Sequence, residues 1–395
     1  MAKYLGIAAG AGIIVYGYRR IIDAGKKLSS DQRVVIVGGG YAGARLAKEL
    51  NGRGDFTLID PKDALHHNMA ALRAAIEPGF AKKTFIPYEP SFGEHFKQGK
   101  VIAIDMKKQE VSLENDPTPI PYTQLILATG TSGPFPGKCR HDKPTSQLIQ
   151  LYENYTNEIK AAKKVVIVGG GAVGVEMAGE IATDYPGQKE VTIVHNSDVA
   201  VSPKLVPKAQ DMITEKFKIK KINMLYNEKV TNLSDLPINK QTEGLKVKLS
   251  SGKVIDADLV IPCFGLYVNS DAYKDALGGS MNERGQLKVN ENLEVVGANN
   301  VFAIGDCNDY DEVKLASVSQ TQGSHVYKNL INIARSKPLE AYKPDGFRMA
   351  LPIGRDGGLT QSGTKVLGDF MAKFIKAKDV FVSMTWKEMG QKPPK

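Results

Sequence analysis

The sequence predicts an α/β protein made of two successive parallel-sheet units and a smaller C-terminal segment, and three observations carry that prediction. A short β-branched run enters a cluster of glycines twice, at Arg33 to Gly43 and at Val165 to Gly174. Each cluster is followed by a helix-like stretch and a second apolar strand. Three further strand-and-turn segments, closing on Gly130, Gly265 and Asp306, come later in the chain.

Taken in order, Arg33 to Val37 (R-V-V-I-V) is short, apolar and bounded by glycine, which reads as a strand buried on both faces of a parallel sheet. It runs into G-G-G-Y-A-G, which is Gly38, Gly39, Gly40, Tyr41, Ala42 and Gly43. The pattern then predicts a helix over Ala44 to Leu50 and a strand over Phe56 to Ile59 that closes on Asp60. The second copy repeats the plan. Val165 to Val168 leads into G-G-G-A-V-G, with Gly169, Gly171, Val173 and Gly174, then a helix over Val175 to Thr183 and a strand over Val191 to Val194. That is the βαβ order twice in one chain.

L-I-L-A-T-G reads as a strand ending in a tight turn at Ala128, Thr129 and Gly130, and L-V-I-P-C-F-G, ending at Gly265, is its counterpart. V-F-A-I-G-D presents Asp306 just past a further buried strand. Lys337 to Pro352 is rich in proline and polar residues and reads as a connection. Beyond it, Leu367, Phe370, Met371, Phe374 and Ile375 fall on one side of a helical spacing, with Lys373, Lys376 and Lys378 mostly off it. The expected partition is a hydrophobic anchor over 1–28, a discontinuous first unit over 29–145 and 275–345, a second unit over 146–274, and a C-terminal segment over 346–395.

A lone G-x-G-x-x-G says little, but a copy set between a strand and a helix is a dinucleotide-binding fingerprint. The first glycine makes the turn and the second lets backbone approach a pyrophosphate. The third allows close helix–strand packing, and the helix N-terminus supplies partial positive charge. Two copies predict two Rossmann-type dinucleotide-binding domains. Asp60 stands about 20 residues past the first glycines, where a carboxylate accepts from ribose hydroxyls; a turn-capping role is the plainer alternative. The matching position in the second copy is His195, followed by Asn196, so no acid there repels a 2′-phosphate and no arginine welcomes one. NADH against NADPH stays open on this rule. Glu176 sits in the first helical turns of the second copy, where the first copy has Arg45. It either favours the helix dipole or contacts the nicotinamide end. His66 and His67 read as adjacent histidines of a surface loop, solvated or functional. Arg73 is placed to pair with a cofactor phosphate or with a surface carboxylate.

The chain has 395 residues, 42% hydrophobic and 24% charged, which fits a folded chain of more than one domain. Its net charge of +9 suits nucleic acid, an anionic membrane or cofactor phosphates. No nucleic-acid-binding signature accompanies the charge, which makes nucleic acid the weakest of the three. Cys139, Cys263 and Cys307 are scattered singly, so neither a dithiol centre nor a zinc site is written, and no metal is expected. Tyr4 to Tyr18 is an apolar and Gly/Ala stretch followed by Arg19 and Arg20, then Lys26 and Lys27. It reads first as a retained membrane anchor, with a cleaved presequence or a packed helix as alternatives. A basic flank keeps the folded body on the cytoplasmic side.

Several runs go further than a fold. H-H-N-M-A-A-L-R-A-A-I-E-P-G-F-A-K-K-T-F-I, L-I-L-A-T-G-T-S-G-P-F-P-G-K, G-G-G-A-V-G-V-E-M-A-G-E and the tail D-V-F-V-S-M-T-W-K-E-M closely resemble the ferroptosis suppressor protein 1 family. This is the apoptosis-inducing-factor-like branch of the FAD-dependent oxidoreductases, whose wider kin include glutathione reductase and type II NADH dehydrogenases. The resemblance runs from about Arg33 to the last residues. It implies an FAD-dependent NAD(P)H:quinone oxidoreductase that reduces ubiquinone or vitamin K-type quinones at a membrane, giving hydroquinones that trap lipid radicals. It implies flavin-nucleotide contacts at Gly38 to Ala42, Arg73, Val101 and Asp306, and nicotinamide-nucleotide contacts at Gly169 to Gly174 and Glu176. It places His67 near the flavin ring, and Lys376 and Phe381 at the active site and quinone. Whether the flavin is modified, and whether the protein forms a homodimer, stays open. Vertebrate members carry a glycine after the initiator methionine and are myristoylated; this chain has Ala2, so attachment to a lipid droplet, the plasma membrane or the mitochondrial outer membrane would use another device. Two other readings remain, a basic DNA-binding death effector and a reductase of a protein acceptor.

Overall fold

The computed structural model describes residues 27–139 and 143–395. The apolar stretch Tyr4 to Tyr18 and the basic residues up to Lys26 lie outside the described residues, and with them nearly all of the anchor expected over 1–28. Leu28 is already part of the body. It is buried over Gly54, and its N–H donates to the Arg53 carbonyl at 2.8 Å.

The first unit opens with β1 (Arg33–Val37), α1 (Tyr41–Leu50) and β2 (Asp55–Asp60), and adds β3 (Phe96–Gln98) and β4 (Gln124–Leu127). The second holds β5 (Lys164–Val168), α2 (Ala172–Asp184), β6 (Glu190–Val194), β7 (Ile222–Leu225) and β8 (Leu259–Pro262). The chain then returns to the first sheet with β9 (Val301–Ala303) before α3 (Ala316–Ala334). The sheets run β9-β4-β1-β2-β3 and β7-β6-β5-β8, and every pairing in both is parallel. Val34 to Val37 and Val165 to Val168 are all buried, as runs covered on both faces should be. Each fully buried Val or Ile contributes roughly 1.5–3 kcal/mol.

The two helices begin three residues earlier than the sequence pattern indicates, directly after Gly40 and Gly171. Both of these glycines are extended, so the glycine pattern runs into the first helical turn itself. A short antiparallel pairing of Thr131–Ser132 with Tyr267–Val268 ties the two units together.

The stretch expected as a connection is partly sheet. Arg348–Pro352 (β10) pairs antiparallel with Gly358–Ser362 (β11), which pairs with Lys365–Leu367 (β12). Leu367 therefore ends a strand, and the C-terminal helix starts only at α4 (Asp369–Ala372). A wider turn over Lys373–Ala377 follows, then α5 (Val382–Glu388). The apolar side of this piece faces outward: Phe370 is 81% and Phe374 80% exposed. Helical spacing finds a common face but cannot say what covers it. Among the described residues no helix is long and apolar enough to cross a membrane.

Candidate active site

A cleft of about 2340 Å³ lies where the two units and the C-terminal piece meet. From the first unit it is lined by Gly38, Gly40, Tyr41, Ala42, Asp60 and Val101, then by Ala128, Thr129, Gly130 and Asp306. From the second come Gly171, Val173, Glu176 and Gly265. Lys376 and Phe381 reach it from the C-terminal piece. Gly39, Gly43, Gly169, Gly174, His195, His67 and Arg73 stand outside the lining.

The glycines are required by close approach. Gly38, at φ +107°, stands so near the Ala128 carbonyl that a Cβ would collide with it, and a Cβ on Gly43 would strike the Gly38 carbonyl. The second turn repeats this with Gly169 at φ +109° against Cys263, and Gly174 against Gly169. Gly40 and Gly171 face open space, and no side chain caps either helix. Each helix thus presents free N–H groups and the positive end of its dipole to the cleft, which suits a pyrophosphate. Asp60 braces the first turn, accepting from Gly39 N at 2.6 Å and from Lys62 N at 2.9 Å. His195 braces the second, with Nδ1 accepting from Gly170 N at 3.1 Å and Nε2 meeting the Val199 carbonyl at 3.1 Å.

Arg45 and Glu176 hold the same place in the two helices and do different things. Arg45 turns away from the cleft to Glu49 and Ser324, both at 2.9 Å. Glu176 lines the cleft and accepts from Lys376 Nζ at 2.8 Å. Burial pushes its carboxyl above the usual range, opposed by the adjacent Lys376 and Arg73 charges. Asp306 accepts from Thr131 Oγ1 at 2.7 Å.

Two expected positions are corrected. His66 and His67 are not a solvated pair; both are buried. His67 sits one layer behind the cleft, with Nδ1 3.1 Å from the Tyr41 hydroxyl and Nε2 2.8 Å from the Val380 carbonyl. A carbonyl can only accept, so Nε2 carries the proton and Nδ1 accepts from Tyr41. Burial holds this imidazole down to about 4, with the Val380 bond working the other way. Arg73, implied as a flavin contact, points instead at Glu180 and at the carbonyls of Ala377 and Lys378. Sequence reading also missed Lys62, Lys138 and Lys314, which add positive charge to the lining. Burial lowers the Lys138 ammonium, opposed by the Asp306 carboxylate. Lys138 ends the run L-I-L-A-T-G-T-S-G-P-F-P-G-K, and a lysine closing that loop was the available signal.

The chain matches the family model described as pyridine nucleotide-disulphide oxidoreductase over residues 32–323. It is 42% identical over 362 residues to the ferroptosis suppressor protein 1 of Homo sapiens, covering 91% of this chain and 96% of that one. In fold it resembles the sulfide:quinone oxidoreductase of Aquifex aeolicus, with a TM-score of 0.71 at 16% identity, covering 91% of this chain and 92% of that one. It also resembles NDH2 from Plasmodium falciparum, solved in complex with NADH, with a TM-score of 0.70 at 15% identity over 89% of this chain and 96% of that one. Two braced glycine turns facing one cleft, and a family match over most of the chain, lead to one conclusion: this chain belongs to the pyridine nucleotide-disulphide oxidoreductase family, groups there with the ferroptosis suppressor protein 1 relatives, and is an FAD-dependent oxidoreductase.

Proposed function

We propose that this chain oxidises NADH or NADPH and reduces a membrane quinone of the ubiquinone or vitamin K type. One NAD(P)H, one proton and one quinone would give NAD(P)+ and one hydroquinone, a product able to trap lipid radicals and so suppress ferroptosis. Bound FAD supplies the two-electron relay between nucleotide and quinone. The first glycine turn and the α1 N-terminus would hold its pyrophosphate, with Asp306 and Lys138 nearby. The second turn, the α2 N-terminus and Glu176 would hold the nicotinamide nucleotide and orient it across the cleft.

The observation that carries the quinone is the apolar ledge at the C-terminal end. Leu367, Ile375 and Met384 are exposed to solvent and also line the cleft, so apolar surface runs from outside inward past Phe381. Phe370 and Phe374 extend the ledge, with Lys373 and Lys378 exposed beside it. Such a face suits the headgroup boundary of an anionic membrane and the tail of a prenylated quinone. Attachment through this face and through Tyr4 to Tyr18, with the body toward the cytoplasm at a lipid droplet, the plasma membrane or the mitochondrial outer membrane, belongs to the same proposal.

The test is steady-state turnover of the purified yellow protein with NADH and NADPH, using short-chain ubiquinone, menadione and ferricyanide as acceptors. Quinone-dependent oxidation of the nucleotide is expected. A flavin-loaded protein that reduces ferricyanide but neither quinone would overturn the assignment.

A further inference from the structure

We propose that Arg73 is a positioning residue for the acceptor end of the cleft: with Glu180 it clamps residues 376–381 so that Lys376 and Phe381 stand at the mouth. The inference rests on the quinone reading above. Arg73 is only 2% exposed. Its Nε and Nη2 donate to Glu180 Oε2 at 3.2 Å and Oε1 at 2.7 Å, fork against fork. On the other side Nη1 donates to the Lys378 carbonyl at 2.9 Å and Nη2 to the Ala377 carbonyl at 2.8 Å. A planar guanidinium makes these four bonds at once. A lysine could keep the charge opposite Glu180 but not the fork and both carbonyls.

The segment so held needs holding. Val380 has φ +47° and Phe381 φ +63°, two successive residues in the left-handed region, one of them β-branched. Such conformations persist only where the surroundings over-determine them. Here Arg73 fixes the carbonyls before the turn, and His67 Nε2 donates to the Val380 carbonyl within it. Both side chains come from the single run His66 to Arg73 of the first unit. The far end of the clamp is in the second unit. Glu180 lies one helical turn past Glu176 on α2, so the pairs Glu176–Lys376 and Glu180–Arg73 stand side by side, two anions against two cations. The clamp thus joins the helix that borders the nicotinamide site to the segment that borders the acceptor. Arg73 itself stands outside the cleft, so it acts on turnover only through the groups it holds, that segment and Glu180.

The experiment uses the full-length flavin-loaded protein, wild type against Arg73→Lys and against the double variant Arg73→Met/Glu180→Met. The double variant removes the clamp without leaving Glu180 as an unpaired buried charge. In Arg73→Lys, Glu180 keeps the lysine and also Arg355, whose Nε is 4.0 Å away. Flavin content and NADH:ferricyanide turnover should stay within about twofold, while KM for short-chain ubiquinone rises about tenfold. Trypsin should also cut after the exposed Lys378 faster than in wild type, a readout that needs no quinone. Unchanged quinone KM and unchanged cleavage in Arg73→Lys would overturn the clamp. Parallel loss of flavin would overturn it too, by making Arg73 a cofactor contact. Failure of the quinone reading would show earlier and separately, as wild-type protein active on ferricyanide alone.

Discussion

In the first unit a carboxylate braces the glycine turn; in the second an imidazole has that task. The backbones are near copies, with φ +107° at Gly38 and +109° at Gly169. The amide of the second glycine is taken by Asp60 in one and by His195 in the other. Its carbonyl is met by the Tyr88 hydroxyl at 2.7 Å in one, and by the Val201 amide at 2.8 Å in the other. The cradle is therefore a backbone object that several side-chain sets can hold. What differs between the two strand ends is the side chain itself, a carboxylate in one and an imidazole in the other, and there the two units part.

The largest expected effects come from filling the turns. Gly43→Ala and Gly174→Ala each drive a Cβ into a carbonyl that cannot move without opening the turn, at a cost of about 1–3 kcal/mol. Gly43→Ala should lose flavin outright. Gly174→Ala should stay yellow while NADH turnover falls about a hundredfold. Absorbance spectra and turnover of the two proteins check this; matching losses in both would mean that the units do not hold separate nucleotides.

Acid separates the units next, through His67. An unfolded histidine titrates near 6.5 and this one is held to about 4, so between those values the unfolded chain binds more protons. Stability should fall as pH drops through that window, by about 3 kcal/mol in all. The raised Glu176 carboxyl works the other way, gaining stability as pH falls. Thermal melts of wild type and His67→Gln at pH 7 and pH 4.5 isolate the histidine; equal slopes would exclude it.

A third test makes the second unit resemble the first. His195→Asp keeps an acceptor for Gly170 N and adds a negative charge near a 2′-phosphate. NADPH kcat/KM should fall about tenfold and NADH should change less than about twofold. An unaltered ratio would show that selectivity is set elsewhere. The smallest effect is expected for Glu176→Gln, which still accepts from Lys376 but loses its charge. KM for NADH should rise about fivefold with flavin retained, whereas an unchanged value would return Glu176 to a dipole role.

Much of this was legible in the sequence because it is local. Gly43 against Gly38, Gly174 against Gly169 and Asp60 on the Gly39 amide are contacts within βαβ units, and their spacing announces them. Arg73 was not legible: its partners Glu180, Ala377 and Lys378 are more than a hundred residues away, and nothing near Arg73 signals them. The histidine pair looked like surface for the same reason, since Val380 and Thr385 cover His67 from the far end of the chain. In the C-terminal piece the period was right for Phe370 and Phe374, but period fixes a face and not its neighbour. The hairpin of β10 and β11 was hidden by the Pro and Gly around it, which mark turns and connections equally well.

The interleaved order of the first sheet has a consequence for synthesis. Its edge strand β9 pairs Val301 with Leu125, while all four strands of the second sheet fall between them in the chain. The second unit can close as soon as its own residues leave the ribosome, but in the first β4 pairs with β1 on one side and must wait with its other edge unpaired until Val301 emerges. During that interval a bare apolar strand edge is open to other chains, so demand for a chaperone should peak there and fall once β9 has docked.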